Sequence, residues 1–249
     1  MRKSSKQLYL GAEFETYRCG KCTIIEYENC DNVVVKFNSP EAVVKCSVNN
    51  LKAGSVLNPF CTTVVGTGYL GVGKFNSKDA AYKTWEKMLK RCYDEKYLNK
   101  YVTYKGVTVC EEWLNFQNFA EWCQHQNGFG ELDNKGKIFQ LDKDILAKET
   151  KEYSPETCCF VPQEINILFL SANKDVGCYP RGVRFDTQKN RYVTRLRSVG
   201  EKPKLCYYTN LEEALLSYKT NKQVYFKNIA AKWSGRIDVR VHDILMNRL

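Results

Sequence analysis

The sequence predicts an α+β protein made of three small modules, because its hydrophobic period changes twice along the chain. Short runs rich in Val and Ile, separated by turn residues, fill residues 7–58. A helical period begins at Asp79, and short strands followed by one amphipathic helix fill the region after Asn173. We therefore expect an N-terminal β domain, a central α+β domain and a C-terminal domain of strands plus a helix, at residues 1–60, 61–171 and 172–249.

The N-terminal module is predicted to be a small β barrel or a curled sheet. Its β-branched runs are short, and the Asn, Asp, Ser and Pro residues between them favour tight turns. Three or four short strands joined in this way are typical of a small barrel or a curled sheet. The strands of this prediction are the segments CTIIEY, NVVVKF and EAVVKCSV.

The chain has 12 cysteines, most of them within apolar patterns. We interpret them mainly as small buried apolar residues in a reducing compartment. Cys19 and Cys22 have the spacing of half a zinc site, but no second CxxC or CxxH follows to complete four ligands. Packing accounts for these residues more simply, so structural zinc is not predicted. An alternative zinc set in the central module would be Cys92, Cys110 and either Cys158 or Cys159.

Two aromatic stripes predict two helices in the central module. Tyr82, Trp85 and Leu89 recur at three- and four-residue steps, and Trp113 and Phe116 begin a second stripe of the same kind. Such stripes mark the buried face of an amphipathic helix more often than a ligand site. We therefore expect the two helices to pack together in a core.

Positive charge is concentrated in the last third of the chain. Residues 172–249 contain 16 Lys/Arg and 7 Asp/Glu, a net charge of +9, whereas residues 1–171 contain 22 and 21. A basic surface confined to one module suits a polyanion, and nucleic acid is the partner that we expect. Within the predicted strand RYVTRLR, alternation directs Tyr192, Thr194 and Leu196 towards the following helix. It directs to the opposite face Arg191, Val193, Arg195 and Arg197.

The C-terminal module resembles the Apetala-type (ethylene-response-factor) DNA-binding domain. The matching segments are YPRGVRF, NRYVTRLR, KLCYYTNLEEALLSY and NIAAKW. The resemblance implies that a three-stranded sheet lies in the DNA major groove. The plant domains carry a Trp in the first hairpin and a Gly at the position of Cys206, so base specificity does not carry over. The implied DNA contacts are Arg181, Arg184, Arg191, Arg195, Arg197 and Lys204.

The central module is similar to the HNH proteins that phages encode with an Apetala-type tail. The segments YKTWEKMLKRCYDEKY, YKGVTVCEEWLNFQNFAEW and LDKDILAKETKEYSPETCCFVPQEIN carry this resemblance. It implies that Asp142 and Asn166 hold Mg²⁺ or Mn²⁺ if the protein is an active nuclease. Lys143 stands where the family has the histidine that deprotonates water, and a protonated amine cannot accept that proton. Asp144 is an alternative base, while Lys143 in a salt bridge or on a phosphate of a decayed site is the simpler interpretation.

These observations predict a phage-type protein of HNH homing-endonuclease lineage that binds double-stranded DNA and cuts it slowly or not at all. Two alternatives stay open: an active metal-dependent homing endonuclease, and an interaction protein that binds a host protein through its N-terminal β domain. No stretch approaches 18 uncharged apolar residues, and the first residues lack the pattern of a secretory signal. We therefore expect no membrane partner and a cytoplasmic location, in the bacterial host if a phage encodes the protein.

Overall fold

The structure is a computed structural model that describes residues 4–147, 149–169, 179 and 182–248. The mixed α+β class is confirmed. The described residues belong to two compact units, which we call the N-terminal unit (Met1–Gln124 with Lys151–Ser154) and the C-terminal unit (His125–Thr150 with Pro155–Leu249). Residues 61–171, predicted to be one module, are divided between these units, and the three-domain organisation stays a prediction.

A four-stranded antiparallel sheet opens the N-terminal unit. Its strands neighbour each other in chain order, β1 (Glu13–Thr16), β2 (Gly20–Asn29), β3 (Asn32–Asn38) and β4 (Glu41–Cys46). Alternate residues of β2 and β3 are buried, and two short helices lie at the ends of the sheet segment, α1 (Ser5–Tyr9) and α2 (Val48–Lys52). Among the described residues β1 and β4 are edge strands, so the sheet is open and the barrel alternative is not confirmed.

The rest of the N-terminal unit is helical around an aromatic core. The burial of Trp85 and Trp113 is confirmed, since both are at most 1% exposed. The Trp85 Nε1 donates a hydrogen bond to the Trp113 carbonyl at 2.6 Å, and the Trp85 and Phe116 rings lie 5.2 Å apart. The elements are α3 (Ala80–Tyr93), α4 (Glu95–Lys100), 3-10 turns at Val102–Tyr104 and Glu111–Leu114, α5 (Phe116–Gln124), and the parallel pair β5 (Thr108–Val109) and β7 (Glu152–Tyr153).

The C-terminal unit contains a strand–strand–helix element and a separate three-stranded sheet. The first comprises β6 (Gln140–Asp142), β8 (Cys159–Val161) and α6 (Gln163–Phe169), with β6 and β8 antiparallel. The sheet has the order β11-β10-β9 and is antiparallel throughout. The predicted three strands and helix are confirmed as β9 (Val183–Asp186), β10 (Arg191–Leu196), β11 (Lys204–Tyr208) and α7 (Leu211–Trp233), followed by α8 (Val239–Asn247).

Helix α7 is longer than the sequence pattern predicts. The predicted helix ends near residue 223, but α7 has 23 residues and ends at Trp233. No Gly or Pro interrupts it, and Phe226, Ile229, Ala230 and Trp233 continue a buried stripe at helical spacing. Trp233 packs edge-on against Phe139 at 5.4 Å, so the second half of α7 belongs to the core of the C-terminal unit.

Among the described helices, none combines the length and the apolar composition that crossing a membrane requires.

Candidate functional site

One face of the β9–β11 sheet is covered by α7. Residues that pair directly across antiparallel strands share a face, so the pairing of Tyr192 with Tyr208 and of Thr194 with Cys206 defines that face. Thr194 is fully buried, and the hydroxyls of Tyr208 and Ser217 lie 2.5 Å apart, which joins the sheet to α7. The predicted direction of Tyr192 and Thr194 agrees with this packing.

The opposite face of the sheet, which we call the open face, carries three exposed arginines. Val193 pairs with Arg184, and Arg191 and Arg195 flank Val193 on the same side of β10. None of the three guanidinium groups forms an ion pair with any residue that the structure describes. A row of cations without internal partners is available to an external anion.

The hairpin between β9 and β10 engages Asp186, an acid on this face, in its turn. Asp186 is the cross-strand partner of Arg191, but its Oδ1 accepts hydrogen bonds from the backbone N–H groups of Gln188 and Lys189, at 3.2 and 3.1 Å. Asn190 adopts a positive φ of 49°, which Asn tolerates in tight turns. The carboxylate therefore shapes the turn.

Two further residues of the open face were not found from the sequence. The Lys189 Nζ donates to the Tyr207 hydroxyl at 2.8 Å and lies 4.0 Å from the centre of its ring. Tyr207 pairs with Val193, which puts it on the same face as Arg184. Tyr207 lies two residues after Leu205, so strand alternation could have predicted that the two share a face. Lys189 lies in a turn, where no hydrophobic period applies.

Two of the other predicted DNA contacts lie elsewhere in the described structure. Arg197 follows the end of β10, where Asn221 bonds to both its backbone N–H (2.8 Å) and its carbonyl (3.1 Å). Together with Arg195 and Tyr225 of α7, it lines a depression of about 300 Å³. Lys204 is exposed but pairs with Leu196, on the alternation that faces α7. Arg181 lies outside the described residues.

A second candidate site lies where β6 meets α6. Strand β6 ends at Asp142, which pairs with Cys159 of β8, and α6 contacts both strands. The Asn166 side-chain amide donates to the Gln140 Oε1 at 3.2 Å. Gln140 and Asp142 share a side of β6, so the structure brings Asn166 to the same end of the element as the predicted metal ligand.

The Asp142 carboxylate supports the turn that follows β6. Its Oδ1 accepts hydrogen bonds from the backbone N–H groups of Asp144 and Ile145, both at 2.9 Å. Burial raises the pKa of the Asp142 carboxyl, although the two N–H donors oppose that effect. A carboxylate that closes a turn in this way has less capacity to bind a cation.

Lys143 and Asp144 form an ion pair with each other. The Lys143 side chain is only 8% exposed, and its Nζ lies 2.5 Å from the Asp144 Oδ1 and 3.4 Å from the Thr150 carbonyl oxygen. The salt-bridge interpretation of Lys143 thus agrees with the geometry. The pairing engages both the residue at the position of the expected base and the alternative base.

The residues around β6 do not fit a resident Mg²⁺ or Mn²⁺. Asp142 holds backbone N–H groups, Asp144 holds Lys143, and Asn166 donates to Gln140. Within the described ranges, no group of three or more His, Cys, Asp or Glu residues has a geometry that could hold a metal ion.

The cysteines considered as zinc ligands lie in different parts of the fold. Cys22 is 1% exposed, and burial together with nearby Cys46, Cys19 and Glu15 raises the pKa of its thiol to about 11, so it is protonated at neutral pH. The alternative set is divided, with Cys92 and Cys110 in the N-terminal unit and the adjacent Cys158 and Cys159 in the C-terminal unit.

No protein-family model matches the chain, and comparisons with curated proteins and with solved structures gave no match.

Proposed function

We propose that this protein binds double-stranded DNA through the open face of the β9–β11 sheet. The observation that carries the proposal is the row formed by Arg184, Arg191 and Arg195, exposed on one face of a sheet whose other face is covered by α7. A guanidinium fork can bridge guanine O6 and N7 or bind a phosphate. The three residues therefore supply both positive charge and the geometry for reading bases.

The dimensions of the sheet suit the major groove. Neighbouring strands lie about 4.8 Å apart, and Arg191 and Arg195 are four residues apart on one strand, or roughly 13 Å. The major groove is about 12 Å wide, with base pairs stacked about 3.4 Å apart. A strand laid along the groove would bring the two arginines to bases about four steps apart, with β9 and β11 towards its walls.

The strand–strand–helix element supports descent from the HNH homing endonucleases, and we propose that nuclease activity here is weak or absent. The order of β6, β8 and α6 is the order that the resemblance implies, with Asp142 ending the first strand and Asn166 on the helix. An ammonium at Lys143 cannot deprotonate water, and Asp144 neutralises that ammonium. The same resemblance is the basis for proposing a phage origin and a location in the cytoplasm of a bacterial host.

Binding of the full-length protein to duplex DNA at increasing salt tests the proposal. Each arginine that binds a phosphate should contribute about −0.9 to the slope of log K against log salt, because about 0.9 counterion is released per phosphate neutralised. Arg191→Glu with Arg195→Glu should abolish retardation of the duplex. Lys219→Glu with Lys227→Glu is the matched control, since both lysines are exposed on α7.

Absence of binding by the wild-type protein at low salt would refute the proposal. An equal loss of binding in the α7 control would refute the assignment of the open face, because the effect would then come from net charge alone.

A metal-dependent endonuclease is the alternative that the sequence resemblance implies, although Asp142, Asp144 and Asn166 are engaged within the protein. Incubation of supercoiled plasmid with Mg²⁺ and with Mn²⁺ decides between the two. We expect no nicking above background. Robust nicking that Asp142→Ala or Asp144→Ala abolishes would establish the nuclease instead.

A further inference from the structure

A groove with apolar walls crosses the open face between two of its arginines. Its volume is about 520 Å³, and Arg184 and Arg195 lie at its sides. Val193 is buried to 2% exposure within it, while Leu205 remains 47% exposed. The groove thus joins two unpaired cations through an apolar surface.

Leu205 is the exposed leucine of this groove. A face that bound only phosphates would gain nothing from an exposed leucine, since phosphate oxygens offer no apolar contact. Leu205 pairs directly with Arg195, and side chains paired in this way have Cβ atoms about 5 Å apart. In the orientation proposed above, Leu205 therefore lies beside Arg195 across the groove, towards the wall that β11 faces.

The major groove presents one apolar group, the C5 methyl of thymine. Guanine presents two acceptors to a guanidinium fork in the same groove. A leucine directly across the strands from an arginine is thus complementary to a thymine beside a guanine.

We propose that Leu205 is a specificity-determining residue that selects a thymine, through its methyl group, next to a guanine bound by Arg195. This inference rests on the proposed DNA-binding function. Val193 forms the floor of the contact, and Arg184 binds the opposite side of the groove. The preferred site therefore has a T·A pair next to the G·C pair that Arg195 binds.

The test begins with selection of preferred duplexes by the full-length protein from a random pool. Each thymine of the selected site is then replaced singly by deoxyuridine, which removes only the methyl group. We expect one replacement to weaken binding by about 4-fold, the effect of one methyl group lost from an apolar contact. The other replacements should have little effect.

Two variants localise the effect. Leu205→Ala should bind the thymine and deoxyuridine duplexes equally and keep the salt-dependent binding to unrelated DNA. Leu216→Ala is the matched control, because Leu216 is 68% exposed on α7, and it should keep the 4-fold preference.

Three results would overturn the inference. If no deoxyuridine replacement weakens wild-type binding, the methyl contact does not exist, although DNA binding itself stands. If Leu205→Ala keeps the preference, another residue reads the methyl group. If the wild-type protein binds no duplex at low salt, the proposed function fails and this inference fails with it.

Discussion

The open face of the β9–β11 sheet and the turn after β6 use charged residues in opposite ways within the same compact unit. Arg184, Arg191 and Arg195 are exposed and have no ion-pair partner among the described residues. Lys143 and Asp144, in contrast, pair with each other. A cation already paired inside the protein gains little from an external anion, because the new contact must replace the old one.

The difference separates a surface available to an external anion from a turn whose charges are paired within the protein. Unpaired cations stay hydrated until a polyanion binds them. That binding releases counterions from the polyanion. Charges satisfied within a turn stabilise the turn. The region that resembles a catalytic site thus has the electrostatics of a structural element.

The largest effect should follow from removing a cation of the open face. Arg184→Ala and Arg195→Ala should each weaken DNA binding by about 1–3 kcal/mol, or roughly 5- to 150-fold. Lys143→Met also removes a cation from the same unit but should leave the affinity unchanged, since Lys143 is buried against Asp144. Titration of a labelled duplex measures all three, and a comparable loss with Lys143→Met would mean that the turn after β6 contacts DNA.

The next effect concerns stability. Asp144→Ala should lower the free energy of unfolding by about 1–3 kcal/mol, because it takes an ion-pair partner from a buried ammonium. Asp243→Ala is the control, as the Asp243 side chain is 66% exposed and lies 3.5 Å from the His242 Nδ1. Urea denaturation gives both values. Equal midpoints for Asp144→Ala and the wild type would show that the ion pair contributes nothing to the fold.

The pH dependence of stability should distinguish Asp142 from an ordinary surface acid. Burial raises the pKa of the Asp142 carboxyl above the value of about 3.9 in an unfolded chain. The unfolded state then releases its proton first, so this group's contribution to stability is greatest below the unfolded pKa and is lost as pH rises through the folded pKa. Asp142→Asn keeps the oxygen that accepts the two backbone N–H groups but cannot ionise.

We therefore expect Asp142→Asn to gain stability relative to the wild type as pH rises from 3.5 to 7, by an amount that urea midpoints at several pH values reveal. Asp243→Asn controls for the loss of one negative charge. A variant less stable than the wild type at pH 7 would indicate that the charged form of Asp142 is needed in the fold.

Elements with a strong period were predictable from the sequence, and contacts between elements were not. The stripe of Tyr82, Trp85 and Leu89 predicts a helix because each member lies one turn from the next, and the alternation of Arg191 and Arg195 predicts an exposed strand face. The end of α7 at Trp233 was missed, since a cluster of polar residues near 220 resembles a helix end although no Gly or Pro is present.

The candidate sites show the same limit. Arg184, Arg191 and Arg195 share a face as alternation requires, but Arg197 lies beyond the strand, where Asn221 of α7 fixes its backbone. That contact joins residues 24 positions apart. A salt bridge of Lys143 could be predicted from the sequence, whereas the depth at which the Lys143 side chain is buried depends on the surrounding fold.

The smallest expected effect concerns Thr194, on the face of the sheet that α7 covers. Thr194, opposite in direction to the neighbouring Arg195, is fully buried, and its hydroxyl has no hydrogen-bond partner among the described residues. A buried hydroxyl without a partner destabilises a fold by about 1–3 kcal/mol relative to a bonded one, and valine has nearly the same shape without the polar atom. Thr194→Val should therefore leave the free energy of unfolding unchanged or raise it by about 1 kcal/mol, with DNA affinity unaltered because α7 covers this side. Thermal unfolding and duplex titration measure the two quantities. A loss of stability would mean that the hydroxyl has a partner on this face, and a loss of affinity at normal stability would mean that the covered face influences how Arg195 is presented to DNA.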